Sequence, residues 1–380
     1  IINVRSPSVF SRGHIEYEGA RKTYDQVFNE VYSRIRRKNP ERLGNFMDAL
    51  EMSVQKLVAN TVHQVLKRSP DLLLVSPTVI DITLQSDLES SGLGGSYHLR
   101  SPLNHAFINI NVVEEYIEYV VRHDCIRNPR GHTVVLSPSS SAYHTIHHEL
   151  THARDPEAVK NREYVDYTHR LIHLPPSTTT VLLVHHLTQI RAEGFAQISA
   201  FIGQQHGPDG RIYLPVKEVL LHDMNLPAKL DTLVRRMSQP SFDHKAIDEL
   251  IPTKLWYTLG AYMALVIVAE YTKAQARVFE AASIPSIDAL VNDREKAPQI
   301  PFKHAFTNEH CVIIIEASPA KVHQALVKIT HLKPDTYIRS FMKSAERLGI
   351  EHFTISDIIS IANVEHAQAV HLAERLGFRS

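Results

Sequence analysis

Residues Ser139 to Pro156 read SSSAYHTIHHELTHARDP, and the folding of this stretch decides how the rest of the chain is read. Ile146, Leu150 and Ala153 recur at three- and four-residue intervals, the period of a helix with one buried face. Ser139, Ser140 or Ser141 offers an N-cap, and the Asp155-Pro156 step ends the helix because proline disfavours helical backbone in the residue before it. A helix is therefore expected over Tyr143 to Arg154. On it His148 and His152 stand four apart, hence on one face, with Glu149 beside them. Two imidazoles so placed can hold one ion. Zinc takes nitrogen and oxygen ligands in tetrahedral array, and a catalytic site leaves one position to water. Glu149 is placed to accept that water's proton, and the ion brings the water's pKa toward neutrality.

With 24 histidines in the chain, the five-residue string is not decisive by itself, and a third ligand is the sharper test. A metzincin-type site would place glycine three residues after His152 and a histidine or aspartate three beyond that. Those positions hold Asp155 and Ala158. An aspartate-ligand variant would need a Gly-Thr-x-x-Asp segment downstream, and the sequence contains none. Glu193, in Arg191-Ala192-Glu193-Gly194-Phe195-Ala196, follows His152 by 41 positions. Its helix carries His186, Gln189 and Gln197 on the same face, a polar stripe that needs partners if buried. His185 and His186 are rival third ligands. Asp155, one turn beyond His152, could orient a ligand imidazole or simply terminate the helix. Arg191 could clamp a substrate or pair with a nearby carboxylate.

The HExxH pair followed by a glutamate in a Glu-Gly-x-Ala helix resembles the gluzincin zinc metallopeptidases, especially their smaller bacterial and archaeal branches. The resemblance spans about Thr78 to Ile202, with strand, motif helix and glutamate helix in order. It departs in the long stretch between His152 and Glu193, which includes Pro175-Pro176. The resemblance implies Zn2+ on His148, His152 and Glu193, with Glu149 as general base. Tyr257-Thr258-Leu259-Gly260 resembles the Tyr-x-x-Gly helix that often follows in that group, which would make Tyr257 steady the oxyanion. Read from its apolar helix alone, Tyr257 packs in a core, as does Tyr262.

Outward from the motif, helical spacing runs over Glu18 to Arg37 and Glu41 to Lys67. Thr78 to Leu84 alternates and is β-branched, so a strand is expected, with further strands at Ala106 to Val112 and Thr133 to Leu136. The last could pair with an extended substrate. Ser90 to Ser96, with three glycines, reads as a loop. Later helices are expected over Thr180 to Ile202, Thr253 to Ala281, Pro319 to Thr330, Asp335 to Leu348 and Val364 to Leu376. Cys311 to Glu316 fits a strand or a helix start. Gly349 and Gly377 stand where left-handed helix caps are wanted.

Composition excludes several classes. Lys and Arg together number 41, as do Asp and Glu, and such a balance argues against binding through phosphate contacts. The basic run Arg34 to Lys38 is expected to be a solvated helix end. Two cysteines, Cys125 and Cys311, cannot make a disulfide framework or a cysteine-rich zinc site. The longest apolar run, Leu259 to Ala269, is too short to span a bilayer, and no signal core is visible. Phosphate-binding glycine loops and Gly-x-Ser-x-Gly nucleophile turns are absent. The chain reads as soluble, with the cytoplasm slightly favoured.

The expected fold is α+β: a helical N-terminal segment (1–70), a zincin-like catalytic core with a small sheet and the motif helix (71–205), and a mostly helical C-terminal lobe (206–380). The expected activity is zinc-dependent hydrolysis of peptide bonds in a peptide or protein substrate. Two other functions fit the same residues. One is a non-catalytic binding or scaffold protein stabilised by zinc, with His186 or Asp155 as a fourth ligand. The other is zinc hydrolysis of a non-peptide amide.

Overall fold

The structure, a computed structural model, describes residues 2–4, 14–38, 40–68, 78–83, 95–100, 105–111, 140–155, 178–204, 209–220, 251, 253–272, 277–280, 299–301, 304–305, 311–332 and 334–350. The expected strand at Thr133 to Leu136, the helix Val364 to Leu376, Cys125 and Gly377 lie outside these residues. Contacts divide the chain into two compact units, Ile1–Arg154 and Asp155–Ser380. Helices with small sheets make the architecture α+β. Among the described residues, no helix is long and apolar enough to cross a membrane.

The first unit opens with β1 (Ile2–Val4), followed by a hairpin of β2 (His14–Tyr17) and β3 (Ala20–Thr23). Helices α1 (Tyr24–Lys38) and α2 (Leu43–Arg68) come next. The helix expected to begin at Glu18 thus begins at Tyr24. Residues 18–23 belong to the hairpin, because Glu18 and Gly19 both take positive φ (51° and 77°). Two such residues form the turn whose twist suits paired strands. A capping box marks the true start of α1. The Gln26 amide donates to Thr23 Oγ1 at 3.2 Å, and the Thr23 amide donates to Gln26 Oε1 at 2.8 Å. At the other end of α1, Arg36, Arg37 and Lys38 are exposed, as a solvated helix end should be.

Strands β4 (Thr78–Thr83), β5 (Gly95–Arg100) and β6 (His105–Asn111) join β1 in a four-stranded sheet of order β1-β4-β6-β5. β1 and β4 are parallel, as are β4 and β6, with Ile80 opposite Ile108; β5 runs antiparallel to β6. Gly95 and Ser96, read from their glycines as loop, pair with Ile110 and Asn109 and so begin a strand. Cross-strand pairing outweighs the weak strand preference of glycine here. Helix α3 (Ser140–Ala153) packs on β5, β6 and α2. The buried stripes are Ile146, Leu150 and Ala153 on α3 and Val54, Leu57, Val58 and Val65 on α2.

The second unit is built on α4 (Thr178–Gln204), the short α5 (Val216–Val219), α6 (Thr253–Tyr271), α7 (Pro319–Thr330) and α8 (Pro334–Arg347). Its antiparallel sheet has the order β7-β10-β8-β9, formed by β7 (Ile212–Pro215), β8 (Arg277–Glu280), β9 (Gln299–Ile300) and β10 (Cys311–Ile315). The ambiguous segment at Cys311 is therefore a strand, and all five of its residues are buried. The helix expected to run to Ala281 stops at Tyr271. Val278 and Phe279 pair with Ile313 and Val312 of β10 instead, a tertiary pairing that the local helical composition does not reveal. Ser318 caps α7 with Pro319 in its first turn. Gly349 (φ 69°) ends α8, and the Ile350 amide donates to the Ala345 carbonyl, the six-to-one bond of a left-handed cap. Apolar residues of α4, α6, α7, α8 and β10 share one core, within which Tyr262 meets Phe341 edge to face at 5.4 Å.

Candidate metal centre

Helix α3 buries its polar face as well as its apolar one. His147, His148, Glu149, Thr151, His152 and Arg154 are each 6% exposed or less. A polar cluster so deep needs a purpose or a partner for each group. Thr151 bonds within the helix, its Oγ1 donating to the His147 carbonyl at 2.8 Å. The last turn closes with the Arg154 amide on the Thr151 carbonyl. Burial lowers the Arg154 guanidinium to about 10, so it remains charged at neutral pH.

His148 and His152 bring their Nε2 atoms to 3.2 Å, with the rings edge to face at 4.9 Å between centroids. The separation bears directly on metal binding. Two ligands at ~2.0–2.1 Å from one ion, at the tetrahedral angle, stand about 3.3 Å apart. One turn earlier on the helix, His144 and Tyr143 make looser contacts, at 6.2 Å to the His148 ring and 6.0 Å to the His147 ring.

Glu193 lies half-buried on α4. The ligand atoms of His148, His152 and Glu193 all lie within 4.8 Å of one another, one atom from each residue. The structure thus brings together the three residues that the sequence nominates as ligands. Donor chemistry suits zinc: two imidazoles and a carboxylate make the three-ligand set that leaves a fourth position.

Of the two histidines weighed for the third position, His186 is engaged elsewhere, and the side chain of His185 lies outside what the structure describes. Trp256 Nε1 donates to His186 Nδ1 at 2.9 Å. Because an indole N–H only donates, Nδ1 must accept, which leaves the proton of neutral His186 on Nε2. Neither ring nitrogen then offers a lone pair to an ion. Asp155 has both carboxylate oxygens on Arg191, at 2.5 and 3.0 Å, so Arg191 is a carboxylate partner. Tyr257 is half-buried on α6, one residue after Trp256, whereas Tyr262 is buried and its phenol is pushed well above the usual range by desolvation.

Two features of this region escaped the sequence reading. The Asp155–Arg191 and His186–Trp256 contacts join residues 36 and 70 positions apart, and no local pattern signals either one. In the sequence, Gly194 and Gly260 are letters of the Glu-Gly-x-Ala and Tyr-x-x-Gly patterns and nothing more. In the structure they are where α4 and α6 touch backbone to backbone: a Cβ on Gly194 would sit 2.0 Å from the Gly260 carbonyl carbon, and one on Gly260 2.0 Å from the Ile190 carbonyl oxygen. Comparison with protein-family models, curated proteins and solved structures finds no match to the chain.

Proposed function

We propose that the chain is a zinc-dependent hydrolase that cleaves peptide bonds, its ion held by His148, His152 and Glu193 in a zincin-like core. The observation that carries this reading is the convergence of those three ligand atoms, with the two imidazole nitrogens at the spacing of a tetrahedral edge. Zinc would supply Lewis acidity at that point, polarising a carbonyl and making a water acidic near neutral pH.

The chain's own residues do the rest. Glu149, buried next to His148 on the motif helix, accepts the proton of the attacking water. It then delivers that proton to the departing amine, which leaves neutral. The likeness of Tyr257-Thr258-Leu259-Gly260 to the Tyr-x-x-Gly helix of the gluzincins would give Tyr257 the further role of donating its phenol proton in a hydrogen bond to the carbonyl oxygen as charge builds there. Strand β5 favours a peptide over another amide. It packs against the motif helix and forms one edge of its sheet among the described strands, and an extended chain can pair with such an edge. The scaffold alternative needs a fourth protein ligand, and both candidates for it are committed to other partners.

Two substitutions test the proposal. Glu149→Gln is expected to bind one zinc per chain while losing peptide cleavage by roughly 10²–10⁴-fold, the range of general acid–base contributions. Glu193→Ala is expected to lose the ion. Metal analysis and a peptide-library cleavage assay read both; an undiminished rate in Glu149→Gln removes Glu149 as the base, and unchanged zinc content in Glu193→Ala removes the third ligand.

A further inference from the structure

We propose that Arg191 is a positioning residue for the metal site, tying the chain just beyond His152 to the helical turn that carries Glu193. The proposal rests on the zinc-site reading above. Arg191 and Asp155 are both fully buried. Asp155 lies three residues after His152, and Arg191 lies two residues before Glu193 on α4. The guanidinium meets the carboxylate as a fork, Nη1 to Oδ2 and Nη2 to Oδ1. Its remaining donors hold the end of α7: Nε donates to the Leu332 carbonyl at 2.6 Å, and Nη2 to those of Thr330 at 2.9 Å and Ile329 at 3.3 Å. One side chain therefore fastens three stretches that are distant in sequence.

A buried ion pair of this kind is a poor source of net stability, since desolvating two charges consumes most of what their attraction returns. Its distinctive product is register. The pair closes only when Asp155 and the Arg191 turn stand at one separation, and the ligands His152 and Glu193 are covalently close to its two halves. Metal sites tolerate displacements of only ~0.2 Å, and groups that orient ligands typically change affinity by about 10–100-fold. Lysine cannot reproduce the arrangement, because it has no planar fork with which to reach carboxylate and carbonyls together.

The test uses Arg191→Lys and the double variant Arg191→Met/Asp155→Leu, which exchanges the pair for apolar groups that a core can accommodate. Zinc affinity is measured by chelator competition, ligand geometry by the visible spectrum of the cobalt-substituted protein, and stability by melting of the metal-free chain. Both variants are expected to keep the wild-type circular dichroism. Zinc affinity should fall about 10–100-fold and the cobalt spectrum should shift, while the double variant melts near wild type without metal. Wild-type zinc affinity and spectrum in the double variant would overturn the proposal. So would loss of its fold, because the pair would then hold the unit together rather than position the ligands. The underlying site fails separately, if the wild-type chain binds no zinc or if binding survives His148→Ala.

Discussion

Replacing Gly194 by alanine probes whether the crossing of α4 and α6 sets the position of Glu193. In an open helix this substitution stabilises by ~1 kcal/mol, because alanine has the better helix propensity. The opposite is expected here. The new Cβ would stand 2.0, 2.2 and 2.3 Å from the carbonyl carbon, Cα and carbonyl oxygen of Gly260, where ordinary contact begins at 3.4 Å. The obstacle is backbone, so no side-chain rotation relieves it, and the helices must part by about 1.4 Å. Overpacking of that order costs ~1–3 kcal/mol, so after the propensity gain the net effect is a loss of up to about 2 kcal/mol, or a melting point lower by up to roughly 8 °C. Glu193 immediately precedes Gly194, so a shift of this size exceeds what a metal site tolerates and should weaken zinc binding by about tenfold or more. Differential scanning calorimetry of the metal-free protein and chelator competition measure the two effects independently. A Gly194→Ala protein that melts at or above wild type and keeps wild-type zinc affinity would refute the argument, showing that the crossing neither needs glycine nor places the carboxylate.

Trp256→Phe removes the indole donor from buried His186 and is expected to destabilise by ~1–3 kcal/mol; zinc stoichiometry should stay at one per chain, and a loss of metal would reinstate His186 as a ligand. Saturating zinc at about 100 times its dissociation constant should stabilise the chain by ~2.7 kcal/mol, an effect reversed by chelation and absent from Glu193→Ala. Asp209 gives a pH prediction. Partial burial raises its pKa, but donation from Arg211 and Tyr213 outweighs that and holds the carboxyl below its ordinary 3.8. Its stabilisation is therefore present above that value and lost as pH falls through the lower folded value. Urea titrations should show the wild type's advantage over Asp209→Ala shrinking below about pH 4, and an advantage that grows with acid would contradict the assignment.

Residues close in sequence largely fixed what could be read without coordinates. Helical spacing placed His148 and His152 on one face and set the bounds of α7, Pro319 to Thr330, to the residue. The left-handed glycine at 349 was legible for the same reason, since these are interactions within a few positions along the chain. Local patterns misled where pairing partners were remote. The helix read through Glu18 gave way to a hairpin, although Thr23 and Gln26 already carried the capping box. The stretch after Tyr271 looked helical until Val278 and Phe279 met β10. Glu193 is the intermediate case, nominated by its Glu-Gly-x-Ala setting yet joined to the histidines only across 41 residues of chain. The contacts that engage His186 and Asp155, from Trp256 and Arg191, belong wholly to tertiary structure. So does the reason for glycine at 194 and 260. Local sequence specifies which groups could bind an ion, while packing between distant segments decides which of them are left with lone pairs to offer it.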